Sequence, residues 1–208
     1  MKYPDLDLGK VEAIVNRLGG MEGVERFLRT GKILPFERNE HGHITLSITG
    51  LALTGAEEVD RLTTAGFRVS KWAKSCLTST RADGYDKNHR LVTGQDYRIA
   101  LIPTREVECD SERTTENLRQ RGIKKYGYGK PLAGVTPRIR EVVSDNQMEE
   151  MGFWYIAAPH DPIKDSDGAP FVLLSDRHDD GRWLYAYFGP PGHRWVDSGA
   201  FAFPVLAS

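Results

Sequence analysis

The feature that most constrains the fold is a pair of apolar runs near the C-terminus, joined by an Asp-Gly step. Residues 171–174 and 183–187 are aliphatic and aromatic, and Asp179-Asp180-Gly181 lies between them. Glycine tolerates the positive φ of a tight turn, and Asp-Gly between two apolar runs is the strongest short-range hairpin signal. The sequence therefore predicts an antiparallel hairpin. Because the first run is apolar at every position, its strand should be central and covered on both faces.

The N-terminal part of the chain has helical periodicity instead. Apolar residues recur at intervals of three and four along residues 11–18 and 24–28, which predicts two short helices ended by Gly19-Gly20 and by Gly31. Two further helices are expected after the capping residues Thr54 and Ser70. One strand is predicted between the two pairs, where residues 44–48 alternate apolar and polar side chains.

The polar segment 81–96 is interpreted as a connection between two regions. Residues 1–80 form the mainly helical region, and residues 97–208 form an antiparallel sheet domain. In the second region a helix is expected through Leu118 toward Ile123. Strands are predicted at residues 97–102, 139–143, 153–156, 171–174, 183–187 and 201–203. The predicted fold class is α+β: a helical N-terminal part followed by an antiparallel β-meander covered by a helix.

Charge and cysteine content exclude several functional classes. The chain carries 28 Lys and Arg side chains against 29 Asp and Glu, a net charge of -1, so no global field attracts nucleic acid or an anionic membrane. Cys76 and Cys109 have no second cysteine or histidine at metal-ligand spacing. The acidic N-terminus and the lack of a long apolar run favour a cytoplasmic protein without a membrane partner.

Three segments resemble a recurrent pattern in a family of uncharacterised bacterial proteins. They are LGGMEGVERFL at residues 18–28, AGFRVSKWA at residues 65–73, and the stretch from Pro162 through the DSDG turn to Phe203. The LGGxEGVxRFL element is the most distinctive of them. Because that family has no assigned activity, the resemblance implies a free-standing bacterial protein and carries over no functional residue.

Two groups of side chains have a superficial metal-site pattern. His41 and His43 would point the same way on a strand, but two ligands do not make a site, and the neighbouring Gly42 favours a solvated turn. Asp161, Asp165, Asp167 and Gly168 lack the closing glutamate of a calcium loop, so a hairpin loop with Asp side chains bonded to nearby amides is favoured.

No sequence motif indicates a cofactor. The chain contains no GxSxG, HExxH or paired CxxC pattern, and the GYGKP run at residues 127–131 lacks the Ser or Thr and the preceding strand of a phosphate loop. We therefore expect neither a metal nor a cofactor.

The favoured functional hypothesis is a non-enzymatic binding or interaction protein that uses an aromatic sheet face. Trp183, Tyr185 and Tyr187 alternate with Leu184 and Ala186, so both sets cannot enter the same core. A protein or peptide is the favoured partner, and nucleic acid is possible. The aromatic residues of this region are Phe153, Trp154, Tyr155, Trp183, Tyr185, Tyr187, Phe188, Trp195, Phe201 and Phe203.

Two alternatives stay open, and with them whether the chain is an enzyme. A metal-independent nuclease or hydrolase would need several side chains to converge in one cleft: Arg138, Arg140, Glu141, Arg177 and His178. The tip residues Asp179 and Asp180 are explained by the turn. Nucleic-acid binding would use a helix-turn-helix-like pair at residues 57–77, aided by a basic stretch of Arg119, Arg121, Lys124, Lys125 and Lys130.

Overall fold

The computed structural model describes residues 7–18, 20–30, 36–165 and 167–206. The helices are α1 (Leu8–Leu18), α2 (Gly20–Thr30), α3 (Gly55–Thr64), α4 (Lys71–Leu77), α5 (Tyr85–Asn88), α6 (Thr115–Gln120), α7 (Val135–Val142) and α8 (Asp145–Glu150). The strands are β1 (Ile44–Thr49), β2 (Arg68–Val69), β3 (Asp96–Pro103), β4 (Tyr155–Ala157), β5 (Ile163–Lys164), β6 (Pro170–His178), β7 (Gly181–Phe188) and β8 (Gly199–Pro204).

Local signals located the helices of the first region. α1 and α2 lie where helical periodicity predicted them, although the glycines at 19 and 31 are outside the described residues. Thr54 caps α3 in a capping box, in which its side chain accepts from Glu57 N and the Glu57 carboxylate accepts from Thr54 N at 2.7 Å. Ser70 caps α4 by accepting from Ala73 N at 3.1 Å. Both predicted caps are confirmed.

The predicted hairpin is confirmed with its register. β6 and β7 pair from Phe171↔Phe188 to His178↔Gly181, and Gly181 has the positive φ of 142° at the start of β7. Val172, Leu173 and Leu174 are all buried, with Leu173 on one face of the sheet and its two neighbours on the other. β6 is therefore an internal strand covered on both sides, as its apolar pattern indicated.

The sheet is mixed, and the expectation of a purely antiparallel meander is wrong. In the described chain its order is β1-β3-β8-β4-β6-β7-β2, with β5 paired to β6 beside this path. β4 lies parallel to β8, and β2 lies parallel to β7. Hydrophobic periodicity identifies strands but contains no information on their relative direction, which long connections decide.

The strand predicted at residues 139–143 is also wrong, because this segment belongs to helix α7. The segment mixes β-branched and charged side chains, but Val135, Ile139 and Val143 recur at intervals of four and are buried together. Over the wider window the helical period therefore prevails. Arg138 and Arg140 consequently lie on a helix and not on one strand face.

Helices cover both faces of the sheet, which agrees with the covering predicted for strand 171–174 but exceeds the single helix expected over the meander. α3, α4 and α7 pack on the face that carries Leu173 and Leu184, and α6 packs through Leu118 on the face that carries Val172 and Leu174. α6 continues into a π-helical turn, Arg121–Lys125, toward the predicted end of this helix. Among the helices that the structure describes, none has the length and apolar character that a bilayer crossing requires.

The sheet takes strands from both sides of the segment interpreted as a connection. β1 pairs with β3 and β2 pairs with β7, so strands from residues 1–80 join strands from residues 97–208. The segment between them is itself packed, because Tyr85 is buried and donates to Glu58 Oε1 at 3.2 Å. The division into two domains stays a prediction.

Candidate functional site

The aromatic face predicted on β7 is present. Leu184 and Ala186 are buried under α4, while Trp183, Tyr185 and Tyr187 lie on the opposite face of the sheet. Tyr185 packs into the core beside α6, whereas Tyr187 is 48% exposed. The face is therefore covered at its centre and open toward the end of β7.

A concave site opens on this face, and we call it the aromatic pocket. It has a volume of about 220 Å³. Its lining comes from β4, β6, β7 and the segment before β8: Trp154, Tyr155, Leu174, Asp176, Tyr187, His193, Arg194, Trp195 and Val196. Pockets that combine apolar rings with a few polar groups are the usual form of a binding site.

Hydrogen bonds within the chain hold the walls of the aromatic pocket in place. Trp195 donates from its indole nitrogen to Thr115 Oγ1 at 2.8 Å, and its backbone N donates to Arg113 O at 2.9 Å. The Tyr155 hydroxyl donates to Val196 O at 3.0 Å. Because these bonds involve only the protein, the pocket is preformed and a ligand needs to order little of it.

Two aromatic rings stand at the open side of the pocket. Trp154 is 46% exposed, and the guanidinium of Arg177 lies 4.5 Å from the centre of its ring. The ring of Tyr187 lies 5.3 Å from that of His193 and 5.9 Å from that of Trp195. The exposed rings therefore extend the apolar surface from the pocket to solvent.

Asp176 is the acidic group of the pocket. It lies on β6 directly opposite Tyr155, and only 16% of its side chain is exposed. Burial raises the pKa of this carboxyl above its usual range, although the nearby His178, the backbone of Arg177 and the charge of Arg140 act in the other direction. Its Oδ2 lies 3.1 Å from Nε2 of His178. Burial therefore outweighs the contacts that favour the charged form of this carboxyl.

A second polar cluster, which we call the His43 network, lies before β1 and after β3. His43 is buried, with its Nδ1 2.6 Å from the Tyr128 hydroxyl and its Nε2 2.6 Å from Glu106 Oε1. Glu106 Oε2 also accepts from the Tyr126 hydroxyl at 2.6 Å and from Arg121 Nε at 3.1 Å. These hydrogen bonds outweigh partial burial and lower the pKa of Glu106 to about 2. The carboxylate is therefore charged and fully engaged inside the chain.

His41 and His43 lie before β1 and not on a strand, and their ring centres are 6.0 Å apart. The turn at residues 39–42 is present, and the His41 side chain is partly exposed. The solvated-turn interpretation is nevertheless wrong for His43, which points inward to Glu106. In the described part of the chain, no group of three or more His, Cys, Asp or Glu side chains could hold a metal ion.

The acidic loop after β5 has the hairpin geometry favoured from sequence. Asp165 Oδ1 accepts from Asp167 N at 3.0 Å and from Ala169 N at 2.9 Å. Asp161 instead forms ion pairs with Lys130 and Arg119. The aspartates therefore satisfy nearby amides and cations, in accordance with the turn interpretation.

The residues proposed for a nuclease or hydrolase contact different partners. Arg138 and Arg140 are buried: Arg138 pairs with Glu58 and Glu141, and Arg140 with Asp145 and the carbonyls of residues 143 and 176. Arg177 pairs with Glu149, and His178 with Asp176. At the hairpin tip, Asp180 pairs with Arg68 at 2.7 Å. Convergence on one cleft, which this alternative requires, does not occur among these contacts.

The segment considered for nucleic-acid binding is part of the sheet edge. Between α3 and α4 the chain forms strand β2, which pairs with β7. A helix-turn-helix would have an unpaired turn at this position. Three members of the basic stretch form ion pairs within the chain: Arg119 with Glu116 and Asp161, Arg121 with Glu106, and Lys130 with Asp161. Neutralised cations contribute little to phosphate binding, so this geometry does not favour the alternative.

Sequence reasoning located the rings of the pocket but missed Asp176 and His193, and it missed Glu106, Tyr126 and Tyr128. One signal was available, because Asp176 lies two residues after Leu174 on the same face of β6. The chain matches no protein-family model, no curated protein and no solved structure. The resemblance to bacterial proteins stays a prediction.

Proposed function

We propose that the protein is a non-enzymatic binding protein whose aromatic pocket takes one side chain of a partner protein or peptide. The observation that carries this proposal is a preformed pocket on the sheet face that carries Leu174 and Tyr187. Rigid aromatic side chains are enriched at the energetic centres of interfaces, since they bury much area and lose little conformational entropy.

The size of the pocket supports a side chain as its occupant. Its volume of about 220 Å³ lies below the roughly 300 Å³ at which small-molecule sites begin. Around it, Trp154, Tyr187 and Val196 are exposed and offer additional apolar contact. A single anchoring side chain surrounded by a wider contact area is the arrangement found at many protein interfaces.

The chain offers a matched pair of variants for testing this proposal. Tyr187 and Phe188 are neighbours on β7 with similar exposure, 48% and 46%, but they lie on opposite faces of the sheet. Only Tyr187 lines the pocket. Random peptides displayed on phage are selected against the wild-type protein, and the enriched peptides are resynthesised and titrated against both variants.

We expect Tyr187→Ala to weaken the selected peptides by at least about tenfold, because it truncates an anchor of the pocket. Phe188→Ala should bind them like the wild type. Unfolding curves of both variants verify that each is folded. The proposal is contradicted if no peptide is enriched, or if the two variants bind every enriched peptide equally.

A further inference from the structure

We infer that the aromatic pocket recognises a positively charged side chain, lysine or arginine, of its partner, with Asp176 as the counter-ion. This inference rests on the proposed binding function and specifies the chemistry of the occupant. It depends on three features of the pocket: a partly buried carboxylate, exposed ring faces, and the absence of a buried cation among the described lining residues.

The carboxylate is the first feature. Asp176 is 16% exposed, and among the described residues its one side-chain hydrogen-bond partner is His178, which is itself half exposed. Arg140 contacts the main-chain oxygen of Asp176 at 3.2 Å and directs its ion pair to Asp145. Removing a carboxylate from water is unfavourable unless a cation and hydrogen bonds compensate for it. A ligand cation would add to the partial compensation that His178, the backbone of Arg177 and the charge of Arg140 provide.

The rings are the second feature. Aromatic faces attract ammonium and guanidinium groups through their quadrupole, most strongly where water is excluded. The protein itself shows this geometry at the pocket rim, where Arg177 lies 4.5 Å from the centre of the Trp154 ring. Tyr187 also lines the pocket with an exposed ring. The aliphatic stem of lysine or arginine would pack between these rings while its charged end reaches inward.

The other charged and titratable groups that line the pocket permit a cation. Burial lowers the pKa of His193 below its usual value, which favours the neutral form of this ring. Arg194 is exposed, and repulsion from a solvent-exposed charge is screened over about 8 Å at physiological ionic strength. Asp176, by contrast, is partly buried, so its charge is screened less than that of Arg194. The charge of Asp176 therefore determines the sign of the preferred ligand.

The test uses capped single amino acids as probes of the full-length chain. N-acetyl-lysine methylamide and N-acetyl-arginine methylamide are compared with the matched neutral probe N-acetyl-norleucine methylamide. Binding is followed by NMR through the indole N–H resonances of Trp154 and Trp195, which line the pocket. Asp176→Asn removes the charge at nearly constant volume. Asp179→Asn removes an exposed charge from the same hairpin and serves as the control.

We expect the cationic probes to bind at least about tenfold more tightly than norleucine, and Asp176→Asn to abolish this preference while Asp179→Asn retains it. Equal binding of lysine and norleucine, or an unchanged preference in Asp176→Asn, overturns the inference but leaves the binding function intact. Failure of every probe to shift either indole resonance also overturns it. The proposed function fails separately, when the peptide selection yields no ligand that depends on Tyr187.

Discussion

The aromatic pocket and the His43 network both place a partly buried carboxylate among aromatic rings, yet the two carboxylates are treated in opposite ways. Glu106 is held by His43, Tyr126 and Arg121, and its pKa falls to about 2. Among the residues that the structure describes, Asp176 has one side-chain partner, and burial raises its pKa. Two superficially similar groups therefore differ in how far the chain itself satisfies them.

This difference distinguishes a carboxylate that stabilises the fold from one that is able to bind a ligand. A carboxylate whose donors all belong to the chain stabilises the fold and has little left to offer a ligand. A carboxylate left poorly compensated in a concave site destabilises the fold slightly and gains most when a ligand supplies the missing charge. The contrast predicts large stability effects in the His43 network and small ones in the pocket.

The largest effect is expected for Glu106→Gln, which should lower the free energy of unfolding by about 3 kcal/mol at pH 7. The substitution removes a charge that three donors are arranged to meet, and it leaves Arg121 without its ion pair. Urea unfolding followed by circular dichroism measures the change. Glu112→Gln, at an exposed position nearby, should stay within about 0.5 kcal/mol. Equal stability of the two variants would remove the structural role assigned to the network.

The stability difference between the wild type and Glu106→Gln should depend on pH if its origin is electrostatic. The lowered pKa of Glu106 means that the folded protein binds this proton less tightly than the unfolded chain does. The stabilisation is therefore fully present above about pH 4.5 and is lost as the pH falls toward about 2. The difference in the free energy of unfolding between the wild type and Glu106→Gln should therefore become smaller as the pH falls from about 4.5 toward about 2. A difference that does not change with pH would indicate a steric effect instead.

A smaller loss, about 2 kcal/mol, is expected for Tyr128→Phe. The Tyr128 hydroxyl bonds to His43 and accepts from Asn39 Nδ2 at 2.5 Å, and its removal leaves both groups without that partner. Tyr187→Phe removes the same atom from an exposed pocket ring and should change stability by less than about 0.5 kcal/mol. Thermal and urea unfolding of the two variants give the comparison, and a larger loss in Tyr187→Phe would reverse it.

The smallest effect is expected for Asp176→Asn, which should leave the free energy of unfolding within about 0.5 kcal/mol or raise it slightly at pH 7. Because the pKa of Asp176 is raised in the fold, its charged form disfavours folding, and this penalty is fully present above the folded pKa. As the pH falls through that pKa, Asp176 is protonated and the free energy of unfolding of the wild type should rise toward that of Asp176→Asn. Urea unfolding between pH 7 and pH 4 follows this recovery. A loss of several kcal/mol would place Asp176 with Glu106 as a structural group.

Local signals in the sequence determined the caps at Thr54 and Ser70, strand β1, and the hairpin of β6 and β7 with its alternation of core and surface residues. Each depends on backbone preferences and hydrophobic period within a few residues, which act wherever the segment lies. The same local scale gave a wrong prediction at α7, where a short segment rich in β-branched residues suggested a strand and only the wider spacing from Val135 to Val143 fits the helix.

Tertiary structure alone decided the direction of β4 against β8, the burial of His43, and the meeting of Trp154, Asp176 and Trp195 in one pocket. The physical reason is that a side chain's charge, exposure and partners depend on segments distant in sequence, which the long connections of a mixed sheet bring together. Asp176 and Glu106 are both acids that follow apolar strand residues in sequence. The fold surrounds Glu106 with donors from the chain, which makes it a structural group. It places fewer donors around Asp176, which makes that residue a ligand-binding candidate.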